Sequence, residues 1–368
     1  GFEHVELVVL GHNRWHPMEP PSGQHYESWY YSDGFGQLKN ELYETRLEPQ
    51  TDAVQTWHSA LPPVWHNSTW VGDRTIEFLR QNKDDRFFLW TSFPDPHHPF
   101  DAPEPWSRLH HPEEVDLPPE RVKDLDRRPW WHQASLEGVP EITEEMRRIR
   151  QDYSRIPDQS DEQLRQIIAN YYGMISLIDH NVGRILTALG ELGLAEDTLV
   201  IFTTEHGPAV ARAKHTTYDS GLRTALLMHW KGVIPAGKKI NQLTSNVDVL
   251  PTILELCDAN VPKNLHGASC AHLVRSQAHE NCKIREYAYS EFNWGRRSGC
   301  WYYTPTRTVR NTRFKLIRSY RAIPIYVDNG WLSRFPDKSS LVEQWLSLIH
   351  ISEPTRRTPI SYAVFCLK

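Results

Sequence analysis

The sequence predicts an α/β fold with a mostly parallel sheet flanked by helices. Two observations support this prediction. Apolar residues recur at spacings of three and four along Gln163 to Leu194, which is typical of a long amphipathic helix. Short, continuously apolar runs occur at Arg86 to Phe93, Thr198 to Thr204 and Ala225 to His229. Such runs after helices indicate strands buried on both faces, so we expect ligand-binding loops beyond their carboxyl ends.

The remaining elements follow in chain order. Residues 1–75 are rich in Trp, His, Pro and Tyr without a sustained period, which predicts loop-dominated structure over a core. A helix is predicted over Asp73 to Gln81, before the first apolar run. Residues 101–160 are polar, proline-rich and charged, which favours a surface excursion. Residues 299–320 alternate between apolar and polar and predict antiparallel strands of a smaller subdomain.

We predict three parts along the chain. Residues 1–265 form an incomplete catalytic domain, and residues 266–345 form a partial C-terminal α+β subdomain. The strings that open at Leu346 and close the chain resemble translated sequencing adapter, so residues 346–368 are interpreted as non-native. The alternative is an ordinary amphipathic tail, and an independent genomic clone encoding these residues would support it.

Composition excludes several classes of partner. The chain has 368 residues, of which 39% are hydrophobic and 24% charged, and its net charge of -5 is spread without a basic block. Nothing in this pattern favours a nucleic acid or an anionic membrane. No stretch approaches the roughly 20 apolar residues of a membrane span. A small anionic substrate stays open, because cations inside a pocket matter more than net charge.

The five cysteines lack the Cys-x-x-Cys spacing of a zinc site or a redox motif. We interpret them as unpaired thiols, since scattered cysteines in a large chain form no disulfide framework. The alternative is a bridge between Cys270 and Cys282.

Two imidazoles stand between prolines directly after the first predicted strand. His97 and His98 lie in the string Asp95-Pro-His-His-Pro99. Proline restricts its own backbone and that of the residue before it, so both rings sit on a stiff segment. Histidine can donate to an oxyanion and exchange protons near neutral pH. The alternative is a surface histidine pair in a turn.

A second loop follows the strand at Thr198 to Thr204. Glu205 and His206 place a carboxylate and an imidazole where both can face one divalent cation, and Gly207 permits a close turn. The alternative is an acidic helix cap beside an incidental histidine. Lys214 carries an ammonium suited to a sulfuryl or phosphoryl oxygen, although most lysines are simply solvated.

Taken in order, these loops and their surroundings resemble the sulfatase family over roughly residues 1 to 345. The segments that carry the resemblance are Phe87–Phe100, Leu177–Arg184, Thr198–Gly207, Lys214–Arg223 and Val247–Glu255. The resemblance implies an alkaline-phosphatase-like fold and a formylglycine nucleophile matured from cysteine. It also implies a divalent cation, usually calcium, and a small sulfated substrate such as a carbohydrate.

The resemblance assigns roles to four residues. His97 corresponds to the histidine that contacts the sulfate or ester oxygen, and Lys214 to the sulfate-binding lysine. Glu205 and His206 correspond to adjacent metal ligands. Where the family has aspartate, Glu205 carries its carboxylate one methylene farther out, which a flexible calcium site absorbs more readily than an octahedral one.

Three features of the family are missing from the sequence. No cysteine lies in a Cys-x-Pro-Ser-x-Arg string, and the paired aspartates and Gly-Lys-Trp-His segment of the family are also absent. Because these precede the matched region in the family, we expect a truncated chain without turnover. The resemblance further implies a formylglycine-generating maturation enzyme as partner and is compatible with a periplasmic, extracellular or lysosomal location. The alternatives are a phosphonate monoester hydrolase or phosphodiesterase, and a non-catalytic binding homologue.

Overall fold

The computed structural model of the chain describes residues 2–8, 19–53, 55–117, 160–208, 214, 217–275, 284–297, 300–319 and 366–367. Two units are distinguished along it, the first containing residues 1–128 and 141–195, and the second residues 129–140 and 196–368. We describe each unit separately. The predicted boundary at residue 265 stays a prediction, and the predicted adapter tail lies outside the described residues except for a strand at Cys366–Leu367.

The first unit is mainly helical. Its elements are α1 (His25–Ser32), α2 (Gly36–Glu44), β1 (Arg46–Leu47), β2 (His58–Ser59), α3 (Asn67–Gln81), β3 (Phe88–Leu89) and α4 (Asp161–Glu191), with 3-10 turns at Pro63–Trp65, Trp106–Arg108 and Pro112–Glu114.

Helices α1 and α2 correct the prediction of loop-dominated structure over residues 1–75. Tyr26 and Tyr30 lie four apart on one face of α1 and are fully buried, and Tyr43 of α2 is also buried. Two helices of eight and nine residues are too short to establish a period in the sequence. Their stability comes from burial of these large rings.

Helices α3 and α4 confirm the two predicted helices. Helix α3 begins six residues before the predicted Asp73, because the His66 side chain caps it by accepting from the backbone N–H of Ser68 at 3.3 Å. Helix α4 begins after Ser160, which forms a reciprocal capping box with Gln163. This box is the reason that the helix starts close to the predicted residue.

Two predictions for the first unit are wrong in part. The buried strand expected over Arg86 to Phe93 is reduced to β3, and Trp90 is 42% exposed. The surface excursion expected from residue 101 begins inside the core instead, since Ala102 is fully buried and its carbonyl accepts from the N–H of Ser59. Composition missed this because small and apolar residues at its start pair with β2. Residues 118–159 lie outside the described part of the chain.

The second unit contains the other predicted strands. Its elements are β4 (Val200–Thr203), α5 (Asp219–Leu222), β5 (Leu226–His229), a 3-10 turn (Asn246–Asp248), α6 (Val249–Leu256), α7 (Ala271–Arg275), β6 (Ala288–Arg297), β7 (Cys300–Arg310) and β8 (Lys315–Ser319). Strands β4 and β5 confirm that the runs at Thr198 to Thr204 and Ala225 to His229 form strands. The expected burial on both faces is wrong, because Phe202 and Leu227 are exposed. The core beneath β4 is formed by Leu199, Ile201, Val249, Ile253, Leu256 and Ala271.

The mixture of helices and strands confirms the α/β class. Strands β6, β7 and β8 form an antiparallel sheet, as predicted for the smaller subdomain. Strands β4 and β5 also pair antiparallel, so the described residues do not show the mostly parallel sheet expected from the sequence. Parallel pairing is seen there at two isolated bridges, Thr56 to Phe100 and Ser59 to Pro103. Within the described residues no helix has both the length and the apolar character needed to cross a bilayer.

Two cysteines of the second unit are free thiols. Cys257 is exposed, whereas Cys270 is buried with its Sγ 3.1 Å from Thr252 Oγ1. Both agree with the interpretation of unpaired thiols. The alternative partner Cys282 lies outside the described residues.

Candidate functional site

His97 lies in a tight turn shortly after β3. Its backbone N–H donates to the carbonyl of Pro94 at 3.4 Å, and its ring Nδ1 lies 2.6 Å from the carbonyl oxygen of His98. The rings of His97 and His98 are also in contact, with centroids 4.0 Å apart. Because a carbonyl can only accept, this contact places the proton of a neutral ring on Nδ1 and makes Nε2 the basic nitrogen. The half-buried ring is therefore held in one tautomer.

The carboxyl group of Asp95, at the start of the same loop, is buried. The Ser68 hydroxyl on α3 donates to Asp95 Oδ2 at 2.6 Å, and Nδ1 of His66 lies 3.6 Å from the same oxygen. Burial and the charge of nearby Asp101 raise the pKa of Asp95 to about 8. Burial lowers the pKa of His66 to about 3, so the pair is neutral near pH 7 rather than an ion pair.

Asp101 lies at the other end of the loop and is buried in the same way. The Tyr43 hydroxyl on α2 donates to Asp101 Oδ2 at 2.6 Å. Burial raises the pKa of Asp101 to about 7, although the Tyr43 hydrogen bond opposes the rise. Sequence reasoning missed both aspartates as site residues. The available signal was their placement six residues apart around the two histidines, next to proline and phenylalanine.

Glu205 and His206 directly follow β4 and contact each other. Glu205 Oε1 lies 2.5 Å from His206 Nε2, and His206 Nδ1 lies 2.7 Å from the carbonyl oxygen of Gly207. Both ring nitrogens thus face acceptor oxygens. In this arrangement neither ring nitrogen is directed at a metal ion. For His206 to bind a cation, its contact with Glu205 must be replaced.

Gly207 is the residue that allows this loop to turn. Its N–H donates to the carbonyl of Gly221 at 3.0 Å, and a Cβ at this position would lie 1.7 Å from the carbonyl oxygen of Ser220. No side chain fits between the loop and α5. The structure therefore supports the close turn that the sequence predicts for Gly207.

Lys214 belongs to the same unit and is half-buried. Its N–H donates to the carbonyl of Pro208 at 3.1 Å. Burial lowers the pKa of its ammonium group, and the negative charge of Glu205 opposes that shift. The second unit thus brings Glu205 and His206 into contact and places Lys214 within the electrostatic reach of Glu205. His97 is positioned by the first unit.

The fit to a divalent cation is partial. A calcium ion takes six to eight oxygen ligands. Glu205 and His206 supply two donors, and within the described stretches no three His, Cys, Asp or Glu residues are grouped so that they could hold a metal ion. These residues do not form a cation site by themselves, and no chemical step is assigned to a metal.

Two family models match the chain. The model described as Sulfatase matches residues 15–259, and the segment includes His97, Glu205, His206 and Lys214. The chain belongs to the sulfatase family. A second model, described as N-sulphoglucosamine sulphohydrolase, C-terminal, matches residues 207–327. The resemblance inferred from the motifs is confirmed.

Among curated sulfatases, an arylsulfatase of Clostridium perfringens (strain 13 / Type A) is 27% identical over 238 residues, which covers 62% of this chain and 46% of that protein. The chain spans about half the length of the curated relatives it matches.

Solved structures confirm the alkaline-phosphatase-like fold expected of a sulfatase. A phosphonate monoester hydrolase from Silicibacter pomeroyi matches with a TM-score of 0.65 and 19% identity, covering 89% of this chain and 68% of that one. A protein solved in complex with its substrate D-glucosamine-2-N,6-O-disulfate matches with a TM-score of 0.51 and 18% identity, covering 77% of this chain and 69% of that one. At these identities the likeness concerns the fold.

Proposed function

We propose that this protein is a sulfuric ester hydrolase that acts on a small sulfated carbohydrate. The observation that carries the proposal is the Sulfatase match over residues 15–259, which includes all four candidate residues. The 368 residues contain no Cys-x-Pro-Ser-x-Arg string. The proposed reaction therefore needs a formylglycine nucleophile that these residues do not supply, together with the enzyme that matures it.

In this proposal Lys214 and His97 act on the sulfate group. The Lys214 ammonium neutralises a sulfate oxygen, and Glu205 favours its charged form. With Nδ1 of His97 directed at the His98 carbonyl, Nε2 is the nitrogen that exchanges a proton with the ester oxygen of the leaving alcohol. These roles need a charged lysine and a histidine fixed in one tautomer. The His98 carbonyl fixes the tautomer of His97, and the charge of Glu205 supports that of Lys214 against the effect of burial.

We further propose that Glu205 and His206 contribute to a divalent cation site, with calcium as the favoured ion. The Glu205 side chain is 75% exposed, so its carboxylate is accessible to an ion. When bound, the cation would supply positive charge next to the sulfate oxygens. Calorimetric titration with calcium of the protein encoded by the genomic reading frame that contains this sequence tests this role without any turnover. Glu205→Gln should abolish the binding heat and Glu196→Gln, on an exposed surface pair, should retain it; equal binding by both variants would contradict the role.

A sulfated sugar is the favoured substrate class. Support comes from the sulfohydrolase model that overlaps the Lys214 region and from the fold neighbour solved with a disulfated glucosamine. A second candidate is hydrolysis of phosphonate monoesters or phosphodiesters, which the TM-score of 0.65 to a phosphonate monoester hydrolase favours. Both substrates present a tetrahedral anion, so the same lysine and histidine would serve either reaction.

The decisive experiment starts from the genomic reading frame that contains this sequence. The encoded protein is produced with a formylglycine-generating enzyme and assayed on a sulfated glucosamine, an aryl sulfate and an aryl phosphonate monoester. We expect the highest kcat/KM on a sulfate ester and a formylglycine detectable by mass spectrometry. His97→Gln should reduce kcat by about 100-fold or more. His110→Gln is the matched control, because the His110 ring bonds Ser176 rather than the candidate loop.

Two results would contradict the proposal. One is a reading frame with neither a cysteine nor a serine nucleophile upstream of the matched region. The other is a kcat/KM for the phosphonate monoester that exceeds the values for both sulfate esters, which would favour the second candidate.

A further inference from the structure

The loop that carries His97 is bounded by two buried carboxyl groups, each bonded to a hydroxyl group on a different helix. Asp95 accepts from Ser68 of α3, and Asp101 accepts from Tyr43 of α2, both at 2.6 Å. The two aspartates are 8% and 4% exposed. Buried polar groups that find partners fix geometry strongly, because the unbonded alternatives are costly.

The entry side of the loop is attached along one face of α3. Ser68 and Thr75 are seven residues apart, so they share a helix face. The Thr75 hydroxyl lies 3.1 Å from that of Thr91, and Ser68 holds Asp95. The segment that leads into the loop therefore has two side-chain attachments to the same helix.

The exit side is attached through backbone groups as well. The N–H of Phe100 donates to the carbonyl of Gln55 at 2.7 Å, and the N–H of Trp57 donates to the carbonyl of Phe100 at 3.1 Å. The side-chain amide of Asn170 donates to the same Phe100 carbonyl at 3.1 Å. Asp101 follows Phe100 directly, so its hydrogen bond to Tyr43 adds a side-chain attachment to the backbone bonds at this end of the loop.

The His97 ring is held by groups of the loop itself. Its Nδ1 donates to the His98 carbonyl, and it packs on the His98 ring. Its direction therefore depends on the backbone between the two aspartates. A displacement of either end would change the direction of Nε2, which is the nitrogen used in the proposed function.

We propose that Asp95 and Asp101 are positioning residues, and that the Ser68–Asp95 and Tyr43–Asp101 hydrogen bonds together act as a brace that aims the His97 ring at the sulfate. The proposal rests on the proposed function for the role of His97. Burial of the Asp95 carboxyl supports the proposal in a second way. The raised pKa of Asp95 keeps this carboxyl largely protonated near pH 7, so Asp95 adds little negative charge beside an anionic substrate.

The test uses the full chain and nitrogen NMR of its histidine rings. Ser68→Ala and Tyr43→Phe each remove one hydroxyl of the brace and keep the carboxyl group. Their controls are Thr252→Val and Tyr31→Phe, which remove hydroxyls bonded to the carbonyl of Asp248 and to Asn40 Oδ1 instead. The His97 signals are assigned by their loss in His97→Gln. Inorganic sulfate binding is measured by calorimetry on the same samples.

We expect both brace variants to shift the His97 Nδ1 and Nε2 signals and its titration midpoint, and to weaken sulfate binding about tenfold. The controls should leave both readouts unchanged, and Ser68→Thr should restore the signals because it restores a hydroxyl. Unchanged His97 signals in folded Ser68→Ala and Tyr43→Phe would overturn the brace. Failure of the unsubstituted chain to bind sulfate would count against the proposed function, while the nitrogen signals would still decide the brace.

Discussion

Gly207 lies directly against the backbone of Ser220, so close that a Cβ on Gly207 would come within 1.7 Å of the Ser220 carbonyl oxygen. The loop that carries Glu205 and His206 is therefore seated on α5 by backbone contact, including the bond from Gly207 to the Gly221 carbonyl. Any side chain at this position must separate the loop from the helix.

The first prediction is that Gly207→Ala lowers the free energy of unfolding by about 1–3 kcal/mol, because the added methyl group forces the backbone apart. Chemical denaturation followed by tryptophan fluorescence measures the change. Gly183→Ala is the control: Gly183 lies within α4 with open space around it, so alanine should stabilise the chain by about 0.5–1 kcal/mol. Equal effects of the two substitutions would show that Gly207 is not constrained.

The second prediction concerns Lys39, a fully buried lysine of α2. Its ammonium donates to the Tyr30 carbonyl at 2.6 Å and to Asp33 at 2.8 Å, with the rings of Trp29 and Trp65 about it. Lys39→Met keeps the volume but leaves the Tyr30 carbonyl without its donor, so unfolding should cost about 1–3 kcal/mol less.

Lys231→Met is the matched control for Lys39. Lys231 forms an exposed ion pair with Glu196, and such pairs contribute about 0–1 kcal/mol. The same denaturation measurement compares the two variants. A loss at Lys231 as large as that at Lys39 would contradict the assignment of Lys39 as a buried structural cation.

The parts of the fold that were predictable are those with a local signal of sufficient length. Helix α4 has 31 residues and an explicit Ser160–Gln163 capping box, so periodicity and capping agree. Helices α1 and α2 have no side-chain cap hydrogen bond and are short, so their existence depends on burial of Tyr26, Tyr30 and Tyr43, which a single sequence does not reveal. Tertiary packing decided these helices.

The candidate site shows the same division. His97, Glu205, His206 and Lys214 could be proposed from the sequence because each lies in a motif, which is a local feature. Asp95 and Asp101 were missed because the residues that donate to them, Ser68 and Tyr43, lie 27 and 58 residues away in the sequence. Contacts over such separations are created by the packing of α2 and α3 and leave no spacing pattern in the chain.

The third prediction is that unfolding stability falls as pH rises from about 4 to 8, partly through Asp95. The pKa of Asp95 is about 8 in the folded chain and near its usual value when unfolded, so the folded state binds this proton more tightly. The contribution of Asp95 protonation to the free energy of unfolding is fully present below about pH 4 and is lost as pH rises through 8. Asp95→Asn removes this contribution and should make the fall of the unfolding free energy with pH less steep, by up to about 1.4 kcal/mol per pH unit.

Asp33→Asn is the control for the pH series. The hydrogen bond from Lys39 holds the pKa of Asp33 below its usual range, so any stability that it adds is lost on acidification rather than between pH 5 and 8. Denaturation midpoints measured at half-unit intervals provide the comparison. A slope for Asp95→Asn that matches the slope of the unsubstituted chain over this window would exclude Asp95 as the titrating group.

The fourth prediction links Glu205 to Lys214. The Glu205 charge raises the pKa of the Lys214 ammonium against the lowering effect of burial, so Glu205→Gln should move the Lys214 titration to lower pH. Reductive methylation with a carbon-13 label makes each lysine visible by NMR, and Lys214→Arg assigns its signal. Glu196→Gln removes a carboxylate paired with Lys231 instead and should leave the Lys214 midpoint in place. Because the sulfate-binding role requires a charged lysine, a Lys214 midpoint that does not move in Glu205→Gln would mean that another group maintains that charge.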